Sequence, residues 1–243
     1  MTLDSNFDTK KLPLVTIVKI LPKIPQQALF AYRRCYIGIS LENPIFEGNS
    51  LRALLFWSLQ RFEETMVIVG DYLCRFNEKM LSGYDTKQAS QKAQSLGDSF
   101  LLQTRELFGM LPDKKIHLTR WKEHLQSEEY KESKIILKKL FGSDSDFRAS
   151  VERDAFDFIK RQKRKGQKLL VDIEEAIELC CQYLLEEIGV FSALSQQGWH
   201  VELYPGPELH ALVEVVKGKY IAVPKGLKKR ISVELKISCE SPH

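Results

Sequence analysis

The stretch Cys35-Tyr36-Ile37-Gly38-Ile39-Ser40-Leu41-Glu42-Asn43-Pro44-Ile45-Phe46 decides how this chain is interpreted. An apolar run leads through Gly38 to Ser40, Asn43-Pro44 stops any further strand, and a long amphipathic segment begins near residue 49. The pattern predicts a strand, a loop and a helix, with a serine hydroxyl at the carboxyl end of the strand. In open α/β sheets, ligands bind at this end of the strands. Gly38 would let a ligand approach the backbone closely.

Further segments alternate between strand and helix patterns along most of the chain. Strands are predicted at residues 14–20, 34–40, 66–71, 115–121, 199–204 and 231–237, with a further pair at 213–216 and 220–223. Helices are predicted at residues 26–32, 49–64, 86–111, 127–141, 145–164 and 172–191. A strand, a crossover helix and a second strand imply a parallel sheet. We therefore expect one α/β domain over residues 1–243, with a parallel sheet flanked by helices and a disordered segment at 1–12.

The composition is that of an ordinary globular protein. The chain has 243 residues, of which 44% are hydrophobic and 28% charged, so its core needs no disulfide or metal. The five cysteines are odd in number and contain no Cys-x-x-Cys, and no secretory signal opens the chain, which indicates a reduced cytoplasmic setting. No apolar run reaches the roughly 18 residues of a membrane helix. We expect a cytoplasmic monomer with no cofactor, no metal and no membrane contact.

Positive charge is concentrated in one run although the net charge is only +4. Six basic residues within nine positions contain no acid among them: Lys160, Arg161, Lys163, Arg164, Lys165 and Lys168. A second cluster comprises Lys225, Lys228, Lys229 and Arg230. Such runs are usually solvated helix faces. The alternative is a polyanion contact, in which each neutralised phosphate releases counterions.

Ser40 is a candidate nucleophile, although a serine at a strand end is more often a turn former. Gly38-Ile39-Ser40-Leu41-Glu42 is only half of the Gly-x-Ser-x-Gly elbow of serine hydrolases, because the second glycine is missing. The histidines that would serve as bases do not lie in a recognisable setting: His117, His124, His200, His210 and His243. A serine hydrolase is therefore possible but not favoured.

Tyr183 and Glu187 are four residues apart in the predicted helix at 172–191 and share one face. Glu186 and Glu187 would ordinarily be solvated. The functional alternative is a phenol and a carboxylate that together hold a substrate ammonium, with the carboxylate as a base. Tyr204 ends a strand before Pro205, where a tyrosine beside a serine nucleophile would donate or relay a proton.

Motifs that bind nucleoside triphosphates are absent, and no histidine or cysteine spacing fits a metal. Any acyl transfer must therefore start from an acyl group that is already activated.

These features together resemble the cyclodipeptide synthases over roughly residues 30–225. The resemblance is carried by Ser40 in Gly38-Ile39-Ser40-Leu41-Glu42-Asn43, the helix ending Trp57-Ser58-Leu59-Gln60-Arg61-Phe62-Glu63, the strand ending at Asp71, the Tyr183-x-x-x-Glu187 pair and Tyr204. The resemblance implies a Rossmann-like fold similar to the catalytic domain of class I tyrosyl- and tryptophanyl-tRNA synthetases. It also implies an ATP-independent aminoacyltransferase that uses two aminoacyl-tRNAs and makes a 2,5-diketopiperazine by a ping-pong mechanism.

The same resemblance implies the residue roles. Ser40 would take the first aminoacyl group, Tyr183 and Glu187 would hold its amino group with Glu187 as base, and Tyr204 would assist proton transfer in cyclisation. Substrate-binding residues would be Gly38, Asn43, Tyr36, Ile68 and Glu202. Tyr36 would favour a small first residue, and Glu202 would add charge.

Two features depart from the family pattern. The segment 86–111 lacks the arginine-rich helix of some members, so the tRNA contact is predicted at Lys160–Lys168 instead. Tyr204-Pro205 resembles the subfamily with proline after the tyrosine, whereas Asn43 occupies the position where the other subfamily has asparagine.

The alternatives to a synthase are a non-catalytic tRNA- or RNA-binding protein on a synthetase-like fold, and the serine hydrolase.

Overall fold

The computed structural model describes residues 12–41, 43–112 and 115–238. The segment expected to be disordered, residues 1–12, lies outside the described residues except for Leu12, and so do Cys239 and His243.

Six strands of the described chain form one sheet. They are β1 (Leu14–Leu21), β2 (Arg34–Ile39), β3 (Glu64–Val69), β4 (Ile116–Arg120), β5 (Val201–Tyr204) and β6 (Ile231–Ser238). Their order across the sheet is β1-β6-β5-β2-β3-β4. The pairs from β6 to β4 are all parallel, while β1 lies antiparallel to β6 at one edge. The predicted α/β fold with a largely parallel sheet is confirmed, and the antiparallel edge strand is an addition.

Helices cover both faces of this sheet. They are α1 (Gln26–Leu29), α2 (Gly48–Leu59), α3 (Arg75–Ser82), α4 (Thr86–Gly109), α5 (Trp121–His124), α6 (Glu128–Ser143), α7 (Ser145–Arg164), α8 (Ile173–Gln196) and α9 (His210–Val216). Side-chain caps fix the start of the longest ones: Asp85 caps α4, Ser127 caps α6, Asp144 caps α7 and Asp172 caps α8. In the part of the chain that the structure describes, no helix is long and apolar enough to span a bilayer.

Two local predictions were wrong, and one helix was not predicted. The helix predicted at 49–64 ends at Leu59, because residues 64–69 pair with β2 as strand β3. The strand pair predicted at 213–216 and 220–223 is absent: the first segment belongs to α9, whose first two backbone N–H groups donate to the Asp154 carboxylate. Helix α3 was not predicted, and Gly83 ends it in the left-handed conformation.

The central strands are buried on both faces, as expected of a parallel sheet with helices on either side. Alternate residues of β2 and β3 face different layers. Tyr36 and Ile68 pack with the layer that contains α8, whereas Ile37 and Val67 pack with the layer that contains α2. Gly38 and Ser40 lie two and four residues after Tyr36. They are therefore on the same side of the strand as Tyr36, the side that faces the α8 layer.

Candidate active site

Ser40 lies directly after β2, and its hydroxyl meets that of Tyr204 at the end of β5. The two oxygens are 3.3 Å apart, and either hydroxyl can donate the hydrogen bond. The contact follows from the register, since β2 and β5 are parallel neighbours with Tyr36 opposite Glu202. Both strands therefore end at the same edge of the sheet. The structure thus brings together the predicted nucleophile and the predicted proton relay.

The loop after Ser40 is held by local hydrogen bonds. The Asn43 N–H donates to the Ser40 carbonyl at 3.3 Å. The Asn43 side-chain oxygen accepts from the Ile45 N–H at 3.3 Å and so caps the 3-10 helix Pro44–Phe46. Phe46 in turn packs against the Tyr204 ring, with centroids 5.9 Å apart. The described hydrogen bonds of Asn43 therefore stabilise the loop that carries Ser40 rather than contact its hydroxyl.

Tyr183 and Glu187 lie one turn apart on α8, as their spacing predicts. The Tyr183 ring stacks on Phe158 of α7 at 6.3 Å and meets Phe76 of α3 edge-on at 6.4 Å. Burial and the negative charge of Glu187 raise the pKa of Tyr183 well above its usual range, so the phenol stays protonated. Contacts with α3 and α7 therefore fix the position of the Tyr183 ring on α8. Its raised pKa keeps the hydroxyl protonated, so that it can donate a hydrogen bond.

The carboxyl group of Glu187 has a pKa far from its ordinary value. Burial, together with the carboxylates of Glu202 and Glu208, raises its pKa to about 8, against the lowering effect of Arg230. A carboxylate with a pKa near neutrality is suited to accept a proton from an ammonium group.

Glu186 shows how differently two adjacent acids are used. Its carboxylate receives two hydrogen bonds from Arg75, at 2.9 and 2.5 Å, and one from the Trp121 indole at 3.0 Å. It is therefore a structural anchor between α8, α3 and α5. The ordinary alternative, in which both acids are solvated, does not describe this helix.

Tyr204 remains a protonated phenol beside Ser40. Burial raises its pKa above the usual range, and the hydrogen bond with Ser40 offsets part of that effect. The charges of Glu187 and Glu202 raise it further, and that of Arg161 lowers it. The pKa of Tyr204 therefore responds both to the carboxylates of Glu187 and Glu202 and to the exposed cation of Arg161.

Glu202 and Tyr36 lie side by side beneath this edge of the sheet. The Tyr36 hydroxyl donates to the Glu202 carboxylate at 3.2 Å, and both residues are almost completely buried. Glu202 is also ion-paired with Arg230, so its charge is already balanced within the protein. Arg230 was assigned by its sequence to a basic surface cluster, and the structure buries it instead.

Gly38 and Ile68 occupy adjacent strands at the same level. A Cβ atom added at Gly38 would meet nothing within 4 Å, so open space adjoins this glycine on the side where a side chain would project. Ile68 is completely buried in the layer that includes α8.

The basic run Lys160–Lys168 ends α7 and continues into the following loop. All six of its basic residues are exposed. The Arg161 guanidinium lies 5.9 Å from the ring of Phe158, which stacks on Tyr183. Arg161 is therefore the residue of this run that approaches Tyr183, and its charge also lowers the pKa of Tyr204.

The described histidines have other neighbours. His117 hydrogen-bonds Glu64, His124 hydrogen-bonds Thr119, and His210 lies 3.6 Å from Asp157. His200 packs edge-on against Tyr32. The only side-chain partner that the described residues give to the Ser40 hydroxyl is Tyr204. None of the four described histidines therefore acts as the base that a serine hydrolase places beside its serine.

Comparison with known proteins decides the family. A family model described as cyclodipeptide synthase matches residues 26–196. The chain belongs to the cyclodipeptide synthase family. It is an aminoacyltransferase that forms cyclodipeptides from aminoacyl-tRNAs. Membership of this family favours the synthase over the alternative of a non-catalytic RNA-binding protein. No curated protein matches the chain.

Solved structures of other synthases share the fold. A cyclodipeptide synthase from Fluoribacter dumoffii is 20% identical with a TM-score of 0.77, over 93% of this chain and 99% of that one. A Mycobacterium tuberculosis protein, described as relating these enzymes to type I tRNA synthetases, is 17% identical with a TM-score of 0.68, over 94% of each chain. The synthase from Candidatus Glomeribacter gigasporarum bound to Phe-tRNAPhe is 18% identical with a TM-score of 0.62, over 86% and 89%.

Proposed function

We propose that this synthase works by a ping-pong mechanism with Ser40 as the acyl acceptor. The observation that carries the proposal is the contact between the Ser40 and Tyr204 hydroxyls at the carboxyl edge of the sheet. A tRNA ester is already activated, so the two amide bonds form at the expense of two ester bonds, without ATP. Covalent catalysis divides the condensation into separate transfers.

In the first transfer, Ser40 Oγ attacks the ester carbonyl of the first aminoacyl-tRNA. The bond to the ribose oxygen breaks, the tRNA leaves with the proton on its terminal hydroxyl, and an aminoacyl ester remains on Ser40. Tyr204 is positioned beside this oxygen to exchange a proton with it.

In the second transfer, the α-amino group of the acyl-enzyme attacks the ester of the second aminoacyl-tRNA. This amine is an ammonium at neutral pH and must first lose a proton. Glu187 accepts that proton, and the Tyr183 hydroxyl helps to hold the amine. A dipeptidyl ester on Ser40 and a free tRNA result.

Cyclisation then releases the product. The amino group of the second residue attacks the ester carbonyl at Ser40, the six-membered ring closes, and the serine oxygen leaves. Tyr204 donates a proton to this oxygen and takes up the proton that the attacking amine loses, so that it ends the step as a phenol, in agreement with its raised pKa.

The first aminoacyl group would occupy the space beside Gly38. Ile68 lies beside it, and Tyr36 and Glu202 lie below it on the same side of the sheet. These three residues would select its side chain, with Tyr36 favouring a small residue. Asn43 would act through the loop that it caps. The Tyr204-Pro205 pair supports membership of the subfamily with proline after the tyrosine, while Asn43 occupies the position where the other subfamily has asparagine.

The tRNA would bind along the exposed basic run Lys160–Lys168, which approaches the site through Arg161. Phosphate contacts of this kind lose affinity steeply as salt increases. Since aminoacyl-tRNAs are made in the cytoplasm, the enzyme would act there.

The proposal is tested by expressing the chain in bacteria and searching the medium for diketopiperazines by mass spectrometry. Ser40→Ala should abolish the product. The matched control is Ser50→Ala, which removes a hydroxyl from the neighbouring helix α2 and should leave the yield unchanged. A product formed at the wild-type rate by Ser40→Ala would exclude the acyl-serine mechanism.

A further inference from the structure

Arg230 differs from the basic residues beside it in the sequence. Lys228 and Lys229 are exposed, whereas Arg230 is 4% exposed and immediately precedes β6. Strand β6 pairs with β5, so that Glu202 lies opposite Ser232. A cation is thus buried directly beside the strand that carries Glu202 and Tyr204. Burial of a charge is costly, so its partners must be close and well aligned.

The guanidinium joins three elements of the sheet and its surroundings. Its Nε donates to the Glu202 carboxylate at 2.8 Å and lies 3.3 Å from the Tyr36 hydroxyl, and Nη2 also contacts Glu202. Its Nη1 donates to Glu208 at 2.6 Å. The planar fork therefore fixes two carboxylates and one phenol at once, which a lysine ammonium would not do in the same geometry.

The guanidinium also packs over an aromatic ring of helix α8. Its carbon lies 5.0 Å from the centre of the Phe191 ring, and that ring lies 5.8 Å from the ring of Tyr36. Phe191 is four residues after Glu187, so the two side chains lie on the same side of the helix. Arg230 therefore contacts the helix one turn from the proposed base.

We propose that Arg230 is a positioning residue that holds Glu202, Glu208 and Tyr36 beneath the aminoacyl site and sets the charge that Glu187 faces. The proposal rests on the role of Glu187 given above. The charged and titratable groups that influence Glu187 are Glu202 on β5, Glu208 after it, Asp154 on α7 and Arg230; Tyr183 and Tyr204 lie within its electrostatic reach. Among the groups just named, Arg230 alone is positive.

The charges make the prediction directional. Arg230 lowers the pKa of Glu187, and Glu208 raises it. Since a base must be deprotonated to act, Arg230→Gln should move the acidic limb of the activity profile to higher pH, and Glu208→Gln should move it to lower pH. If Arg230 and Glu208 had only a structural role, the two variants would not shift the acidic limb in opposite directions. Arg230→Lys keeps the charge without the fork and should keep the limb near the wild-type position while lowering kcat.

The experiment measures diketopiperazine formation from charged tRNAs between pH 6 and 9.5 for the wild type and the three variants. Spontaneous ester hydrolysis is subtracted at each pH, and circular dichroism monitors folding. We expect shifts of at least half a pH unit in opposite directions. The matched control, Lys228→Gln, removes an exposed cation nearby and should not shift the profile.

The proposal is overturned if the limb stays in place in both Gln variants or moves in the same direction. If Arg230→Gln does not fold, Glu208→Gln alone decides, since an unchanged or alkaline-shifted limb contradicts the proposal. Failure of the proposed function looks different, because Ser40→Ala or Glu187→Gln would then keep full activity whatever the result at Arg230.

Discussion

Replacing Glu187 by glutamine should stabilise the protein at alkaline pH while it abolishes peptide-bond formation. Glutamine has nearly the same shape as glutamic acid and never ionises. In the folded protein the pKa of Glu187 is about 8, against an ordinary value of 4.5. The folded protein therefore keeps a proton that the unfolded chain releases, and wild-type stability should fall as the pH rises from about 4.5 to 8.

The size of this effect follows from the difference in pKa. A difference of about 3.5 units at 1.36 kcal/mol per unit gives a ceiling of about 4.8 kcal/mol above pH 8. Glu187 is partly accessible to solvent, which screens its charge, so we expect an effect of about 2 kcal/mol. For a domain of this size, ~2 kcal/mol corresponds to a thermal midpoint that is roughly 4–8 °C higher.

The assay is urea or thermal unfolding of wild type and Glu187→Gln at pH 5 and pH 9. At pH 5 the two proteins should be within about 1 kcal/mol of each other, and at pH 9 the variant should be the more stable. Glu178→Gln, an exposed change on the same helix, is the control and should show no such dependence. Equal differences between wild type and Glu187→Gln at both pH values would refute the raised pKa.

Three glycine substitutions should separate effects on stability from effects on activity. In Gly226→Ala the new Cβ would lie 1.9 Å from the Ser192 carbonyl oxygen, so the free energy of unfolding should fall by about 3 kcal/mol in urea titrations. Gly142→Ala, with nothing within 4 Å, should change it little, and an equal loss in both would contradict the packing argument. In Gly206→Ala the Cβ would lie 2.8 Å from the Tyr204 ring, so kcat should fall about 10-fold or more with a nearly unchanged thermal midpoint. Full activity in this variant would show that the ring position is not critical.

The sequence contained enough information to find the central strands and the candidate site. Ser40 and Tyr204 each end a buried strand, and parallel strands bring their carboxyl ends to one edge, so their proximity follows from pattern and topology. Tyr183 and Glu187 share a helix face by spacing alone. Spacing does not predict that Glu186 forms an ion pair whereas Glu187 has a raised pKa. The partner of Glu186 is Arg75, which lies on α3, a helix that the sequence pattern did not predict.

Other features depend on contacts between distant segments. Arg230 lies in a basic run and was assigned to the surface, yet its partner Glu202 is brought opposite β6 only by the sheet order. The segment at 213–216 has the composition of a strand, but the Asp154 carboxylate caps it as helix α9. Short apolar segments are ambiguous between helix and strand until such a partner is known.

The acyl-enzyme on Ser40 is the central claim and can be measured directly. Glu187→Gln should form the ester but fail to deprotonate its amine, so the intermediate should accumulate. After mixing with charged tRNA, acid quenching and trypsin digestion, the peptide of residues 35–52 should gain the mass of one aminoacyl group, and fragmentation should place it on Ser40 rather than Ser50. An unmodified peptide, or the group on Ser50, would contradict the mechanism.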